Sequence, residues 1–363
     1  MISKESISKE NIERVAKNNK ADKILVEKVI RALFLLELLI ESKLNFVFKG
    51  GTALMLLFNS TKRLSIDIDI IVPDKCTDIC SILNLAIEDK GFIRFEKNKR
   101  KVETSIFKEH YKIFYKSSID GNESNILLDV LFEEVHYKNI IELPINSTFC
   151  IIENNLNRVR VPNFNNIIGD KLTAFAPNTT GIPYLKKDKE MGMEIIKQMY
   201  DIGMLFDKID DVSIVRDVFN LFVLTEAKYR NLKIDSSDVL QDIYNNSLSI
   251  CLRKSVANSR FDILNNGIKQ IKPFIFSESF HIEKAITLAS KVAYLSVLID
   301  NGNKNGEIKE VDFFNKGIDM LNWEIKQPFE TKLNKLKKTN IEAFYYWYRI
   351  YELFLSDYYE RII

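Results

Sequence analysis

The chain has 363 residues, enough to bury a sizeable core in one large domain or two. Its 46% hydrophobic and 28% charged residues are ordinary globular composition, which excludes a disordered or fibrous chain. A formal net charge of +2 excludes a whole-molecule field that grips nucleic acid or an anionic membrane, so such binding has to come from local patches.

Cys76, Cys80, Cys150 and Cys251 are scattered, and with three histidines in the chain they complete no zinc pattern. The opening segment is polar rather than a charged-then-apolar leader. The densest apolar run, Ala32 to Ile40, is broken by Glu37 and is too short to span a bilayer. A cytoplasmic, reduced protein with no membrane segment is the expectation.

Taken in chain order, residues 21–43 (ADKILVEKVIRALFLLELLIESK) repeat apolar side chains at helical spacing and predict one helix. Asn45 to Lys49 reads as a short strand cut by Gly50-Gly51, and Thr52 to Phe58 as a helix beginning at those glycines. After a polar loop over Asn59 to Arg63, Leu64 to Val72 alternates strongly and predicts a strand ending at Pro73. Asp78 to Lys90 predicts a helix stopped by Gly91. Phe92–Phe95 and Thr104–Tyr115 predict two strands joined by the basic turn EKNKRK, and Ile126 to Phe132 predicts another, with Asp129 in its middle.

From Ile167 onward helical periodicity takes over, in segments such as MEIIKQMYDIGMLF, KAITLASKVAYLSVL and AFYYWYRIYELFLSDYY. Polar breaks are expected at Asn301–Gly306 and Lys335–Asn340. The predicted fold class is α+β: an N-terminal helix plus α/β domain over residues 1–165, followed by a helical domain over 166–363.

Side chains in a strand alternate faces, so Asp67 and Asp69 are expected to point the same way, about 6–7 Å apart. Two carboxylates that close repel unless something positive sits between them. A surface strand in water tolerates such a pair, but Leu64, Ile66, Ile68, Ile70 and Ile71 argue against an exposed edge. A divalent cation shared with substrate phosphates explains the pair more economically. Gly50-Gly51 between strand and helix lets a polyanion approach the backbone at a helix N-terminus. The spacing is not that of a Walker loop.

With KGGTAL followed by RLSIDIDI, the sequence resembles the nucleotidyltransferase superfamily with the polymerase-beta-like core. Within it the likeness is to the AbiEii/AbiGii branch, toxins of type IV toxin–antitoxin systems that include the MenT toxins. GDKLTAF (Gly169–Phe175) resembles the branch's lysine motif, and KQMYDIGMLF (Lys197–Phe206) its final aspartate motif. The resemblance implies that Gly50 and Gly51 shape the triphosphate loop and that Asp67 and Asp69 bind Mg²⁺, with Asp129 as a third acid near the acceptor. It places Arg63 and Ser65 at phosphate or metal-proximal positions and Lys171 at the triphosphate, with Asp201 either positioning that lysine or completing the site. Lys186, Lys187 and Lys189 stand where the family often has arginines, which leaves nucleotide preference open. On its own residues, DKLTAF also reads as a helix start with Asp170 near the N-cap and a solvated lysine.

The implied activity is Mg²⁺-dependent transfer of a nucleotide from an NTP to an RNA acceptor, with the tRNA 3′ end first among candidates, and a cognate antitoxin as partner. Such chemistry rests on positioning and charge stabilisation, so it needs no Ser/His or Cys/His set. His110, His136 and His281 therefore read as surface or packing residues. Candidate phosphate contacts are Lys97 to Lys101, the Lys186/Lys187/Lys189 cluster and Lys332/Lys335/Lys337/Lys338. Phe344, Trp347, Tyr348 and Tyr351 recur at helical spacing, which is core packing before it is a stacking platform. Two alternatives remain: a nucleotidyltransferase acting on a small molecule or a protein hydroxyl, and a non-catalytic nucleotide-binding scaffold. The presence of Asp67, Asp69 and Lys171 together argues against the scaffold.

Overall fold

The computed structural model describes the chain except residues 60–61, 88–89, 99–106, 256–259, 276–277 and 361–363, and except the side chains of 85–86, 255 and 356–360. The backbone divides into two compact units, residues 1–163 with 273–279, and residues 164–272 with 280–363.

The first unit opens with α1 (Lys9–Asn19), capped by the Ser8 hydroxyl, and α2 (Lys23–Glu41), capped by the Asp22 carboxylate. Nearly every residue of α2 from Val26 to Leu39 is buried, so it is a core helix rather than a surface one. There follow β1 (Val47–Lys49), α3 (Gly50–Leu57), β2 (Ile68–Val72), α4 (Ile79–Ala86), β3 (Arg94–Lys97), β4 (Phe107–Lys116), β5 (Glu123–Phe132), β6 (Ile140–Pro144) and β7 (Arg158–Pro162). The first five strands form one mixed sheet in the order β1-β2-β5-β4-β3, with only β2 and β5 parallel. Ile126, Leu128, Val130 and Phe132 of β5 point into the core shared with α2, which turns Asp129 to the opposite face.

The strand predicted from Leu64 begins only at Ile68. β1 is three residues long and gives way to α3 at Gly50, and pairing with β5 starts at Ile68, so Leu64 to Asp67 have no ladder partner. They are held instead by Leu64 N–H donating to the Phe274 carbonyl (2.7 Å) and Thr52 Oγ1 donating to the Asp67 carbonyl (2.6 Å). The antiparallel pair β6–β7 was not expected: IIELP of β6 alternates weakly, and RVRVP of β7, although it alternates, is a short run closed by Pro162.

Glu37, the acid that interrupts the apolar run, is fully buried. It accepts hydrogen bonds from Ile2 N–H (3.0 Å), Lys90 Nζ (2.9 Å) and Asn157 Nδ2 (3.1 Å), tying three distant segments to α2. Burial works against the Lys90 ammonium, but its hydrogen bonds to Glu41 and Glu37 outweigh that and raise its pKa. Glu37→Gln keeps the shape and removes the charge, and is expected to lower stability by about 1–3 kcal/mol, read as an earlier thermal transition.

The second unit contains α5 (Phe164–Ala174), the hairpin β8 (Leu185–Lys186) and β9 (Lys189–Glu190), α6 (Gly192–Phe206), α7 (Val212–Arg230), α8 (Ser236–Leu252), α9 (Phe261–Ile271), α10 (Ile282–Asn305), α11 (Leu336–Thr339) and α12 (Ile341–Glu360). Asp211 caps α7 and a capping box of Asp235 and Asp238 opens α8. The break expected at Asn301–Gly306 falls at Gly306 alone: Asn301 and Gly302 are buried parts of α10, which ends on left-handed Gly306. Within the break expected at Lys335–Asn340 lies the short helix α11. Phe344, Trp347 and Tyr351 are buried core residues of α12. No helix among the described residues is long and apolar enough to cross a membrane.

Candidate active site

The loop between β1 and α3 is shaped by Gly50, whose φ of +80° favours glycine. A Cβ at Gly50 would lie 2.0 Å from Asp69 Oδ2, and one at Gly51 would lie 2.6 Å from Ser65 Oγ and 2.8 Å from the Arg63 guanidinium. The glycines thus bring the Arg63–Ser65 segment and the Asp69 carboxylate directly against the start of α3. Lys49 occupies the N-cap position without a side-chain cap bond, so the first turn offers its backbone N–H groups in the arrangement that binds anions. Gly50→Ala forces the Asp69 carboxylate aside. We expect transfer activity to fall about 10²-fold, measured as initial rate, since displacements near 1 Å cost that much.

The sheet register aligns four polar residues in a single row across it. Lys49 pairs with Asp69, Asp69 with Asp129, and Asp129 with His110, from β1 through β2 and β5 to β4. Because directly opposite residues project to the same face, the row reads cation, acid, acid, imidazole. His110 Nδ1 lies 2.7 Å from Asp129 Oδ1. Lys49, Asp69, Lys108, His110 and Asp129 line one cleft of about 170 Å³. That volume suits the phosphate end of a nucleotide, being smaller than the roughly 300 Å³ at which whole-ligand pockets begin.

Asp67 sits one residue before β2, half-buried, so strand alternation governs Asp69 but not Asp67. Arg63 is buried and donates through Nη1 to the Leu64 carbonyl at 3.1 Å. The sequence reading missed Lys49 and His110. Strand periodicity could place His110 on a face, but only the β4–β5 register puts it opposite Asp129.

Among the described residues, no group of three or more His, Cys, Asp and Glu side chains forms a ready-made metal site. Asp69 and Asp129 in register, with the glycine loop pressed against Asp69, fit a cation held by two carboxylates and completed by substrate phosphates rather than an all-protein cage.

Lys171 and Asp201 belong to the second unit. Lys171 is not at a helix start but in the last turn of α5 and buried, so the solvated-lysine reading fails. Its Nζ makes a 2.8 Å ion pair with Asp201 of α6 and donates to Gln198 Oε1 at 3.2 Å. Asp242, also buried in this unit, has its pKa raised by desolvation in spite of hydrogen bonds from Asn178 and Thr179. Lys186, Lys187 and Lys189 are exposed on the β8–β9 hairpin, with Lys187 and Asp188 both at positive φ as a type I′ turn requires. Lys97 pairs with Glu109, and Lys99 to Lys101 lie outside the described residues. Lys337 is occupied by the Leu321 and Trp323 carbonyls.

Two solved structures from Helicobacter pylori resemble the chain. One, of a protein assigned as a nucleotidyltransferase, is 16% identical, covers 78% of this chain and 97% of its own, and has a TM-score of 0.43. The other, JHP933, is 15% identical, covers 79% and 96%, and has a TM-score of 0.42. No curated protein matches the chain. The family model described as nucleotidyl transferase AbiEii toxin, type IV toxin–antitoxin system, matches residues 33–266, which contain all four motif segments and more than half of the sequence. By that match the chain belongs to the AbiEii family of nucleotidyl transferase toxins from type IV toxin–antitoxin systems.

Proposed function

We propose that this nucleotidyltransferase uses Mg²⁺ and an NTP to add a nucleotide to the 3′ end of tRNA in the cytoplasm, blocking translation until a cognate antitoxin counters it. The observation that supports this most is the row Lys49–Asp69–Asp129–His110 beside the glycine loop, which gathers paired acids where a helix N-terminus accepts phosphates. Asp67, Asp69 and Asp129 are assigned to the cation, and Gly50, Gly51, Ser65 and Arg63 to the triphosphate. Lys171 is assigned to the triphosphate as well, with Asp201 holding its ammonium.

In the reaction the acceptor hydroxyl oxygen bonds to the α-phosphorus, the bond from the α-phosphorus to the oxygen bridging to the β-phosphate breaks, pyrophosphate leaves with that oxygen, and the hydroxyl proton passes to solvent. The bound cation supplies charge neutralisation on the triphosphate and a lowered pKa for the attacking hydroxyl. The chain's own contribution is to hold nucleotide and acceptor in line, which is where most of the catalysis of phosphoryl-type transfer lies.

The test is labelled-nucleotide transfer. The protein is incubated with Mg²⁺, each labelled NTP in turn and total deacylated tRNA, beside Asp67→Ala. Labelled tRNA that disappears in the variant is the expected result and names the nucleotide. Label on a small molecule or a protein instead would replace the RNA acceptor, and absence of NTP binding would remove the enzymatic mechanism.

A further inference from the structure

We propose that His110 is a positioning residue that fixes the Asp129 carboxylate, holding Oδ1 so that Oδ2 is left for the cation and triphosphate. The inference rests on the reading of this sheet face as the metal–nucleotide site. In the tautomer that carries its proton on Nδ1 the imidazole donates to Oδ1, and the 2.7 Å separation is short for a bond to a carboxylate oxygen.

Both residues sit on a rigid ladder, in direct register on antiparallel β4 and β5. The Asp129 side chain is 43% exposed and the imidazole 19%, so the carboxylate reaches into the cleft while its partner stays packed against the sheet. At such exposure the pair contributes at most about 1 kcal/mol to stability. The contact is therefore poorly explained as a fold stabiliser. Its geometric effect is larger, because a short carboxylate at a cleft rotates freely unless one oxygen is anchored. Lys49 and Lys108 line the same cleft, but neither stands opposite Asp129 in the sheet: Lys49 pairs with Asp69 and Lys108 with Leu131. Ligating carboxylates are themselves normally hydrogen-bonded, and losing that partner typically costs 10–100-fold in metal affinity.

The experiment titrates the full chain with the Mn²⁺ complexes of the four α,β-methylene nucleoside triphosphates and follows water-proton relaxation, which rises when the complex is immobilised. His110→Ala and His110→Phe lose the donor, whereas the Asn amide in His110→Asn places a donor close to where Nδ1 stood. We expect Ala and Phe to raise the half-saturating concentration about 10–100-fold and Asn to recover most of that, with all three melting near wild type. Wild-type binding by Ala and Phe, or Phe and Asn behaving alike, would overturn the role of the hydrogen bond. Failure of the wild type itself to bind any of the four complexes would instead remove the nucleotide-site reading, and this inference with it.

Discussion

Asp69→Asn is expected to lower nucleotide transfer at least about a thousandfold while leaving the protein folded and slightly more stable. Asp69 stands in the middle of the row, with Lys49 on one side and Asp129 on the other. The amide is isosteric and still hydrogen-bonds, so the change removes one charge and little else. A cation assigned to Asp67, Asp69 and Asp129 loses one of its three protein charges, and a loss of about 4 kcal/mol at the transition state corresponds to the stated factor. In the nucleotide-free protein the same change relieves repulsion between two acids directly opposite each other in the sheet. Loss of activity and gain of melting temperature should therefore travel together. A variant that keeps more than a tenth of the wild-type initial rate would show that Asp69 does not carry the charge the reaction needs.

The second large effect concerns the buried pair in the helical unit. Lys171→Ala is expected to destabilise that unit by about 3–5 kcal/mol, because Asp201 is left charged, buried and without its ammonium. Replacing both, as Lys171→Met with Asp201→Leu, should recover most of the loss, since a packed apolar pair avoids the desolvation of two ions. Urea unfolding of the two variants and the wild type, with transfer rates measured on the same samples, separates the roles. Stability restored with activity still absent places the pair in function; both restored makes it a structural contact only.

Much of the α+β fold was legible because its signals are local. The apolar periodicity of residues 21–43, the Gly50-Gly51 break and the Leu64–Val72 alternation each depend on neighbours within a few positions. Where a strand begins was less legible, since Leu64 to Asp67 alternate as well as any strand yet fall outside the ladders of β1 and β5. Asp69 and Asp129 could be singled out from type and pattern. The contact of His110 with Asp129 could not, because register is a property of two segments and His110 on its own strand looks like any half-exposed histidine. The same limit applied to Lys171: whether a lysine on a helix is solvated or buried depends on what packs over it, here Asp201 and Gln198 of α6. Asn301 is polar by type and buried by packing, which is why a break was expected where α10 continues.

The parallel pairing of β2 with β5 also bears on when this toxin becomes dangerous to the cell making it. An antiparallel hairpin can form as soon as its second strand emerges, but β2 must wait through α4, β3 and β4 before β5 arrives to lie beside it. Until Phe132 has left the ribosome, Asp69 and Asp129 are on separate stretches of chain and the row does not exist. On the proposed assignment of that row to catalysis, the nascent polypeptide is expected to transfer no nucleotide through the early part of its synthesis. For an antitoxin made alongside it, the partner that the family implies, that interval would precede the first competent molecule.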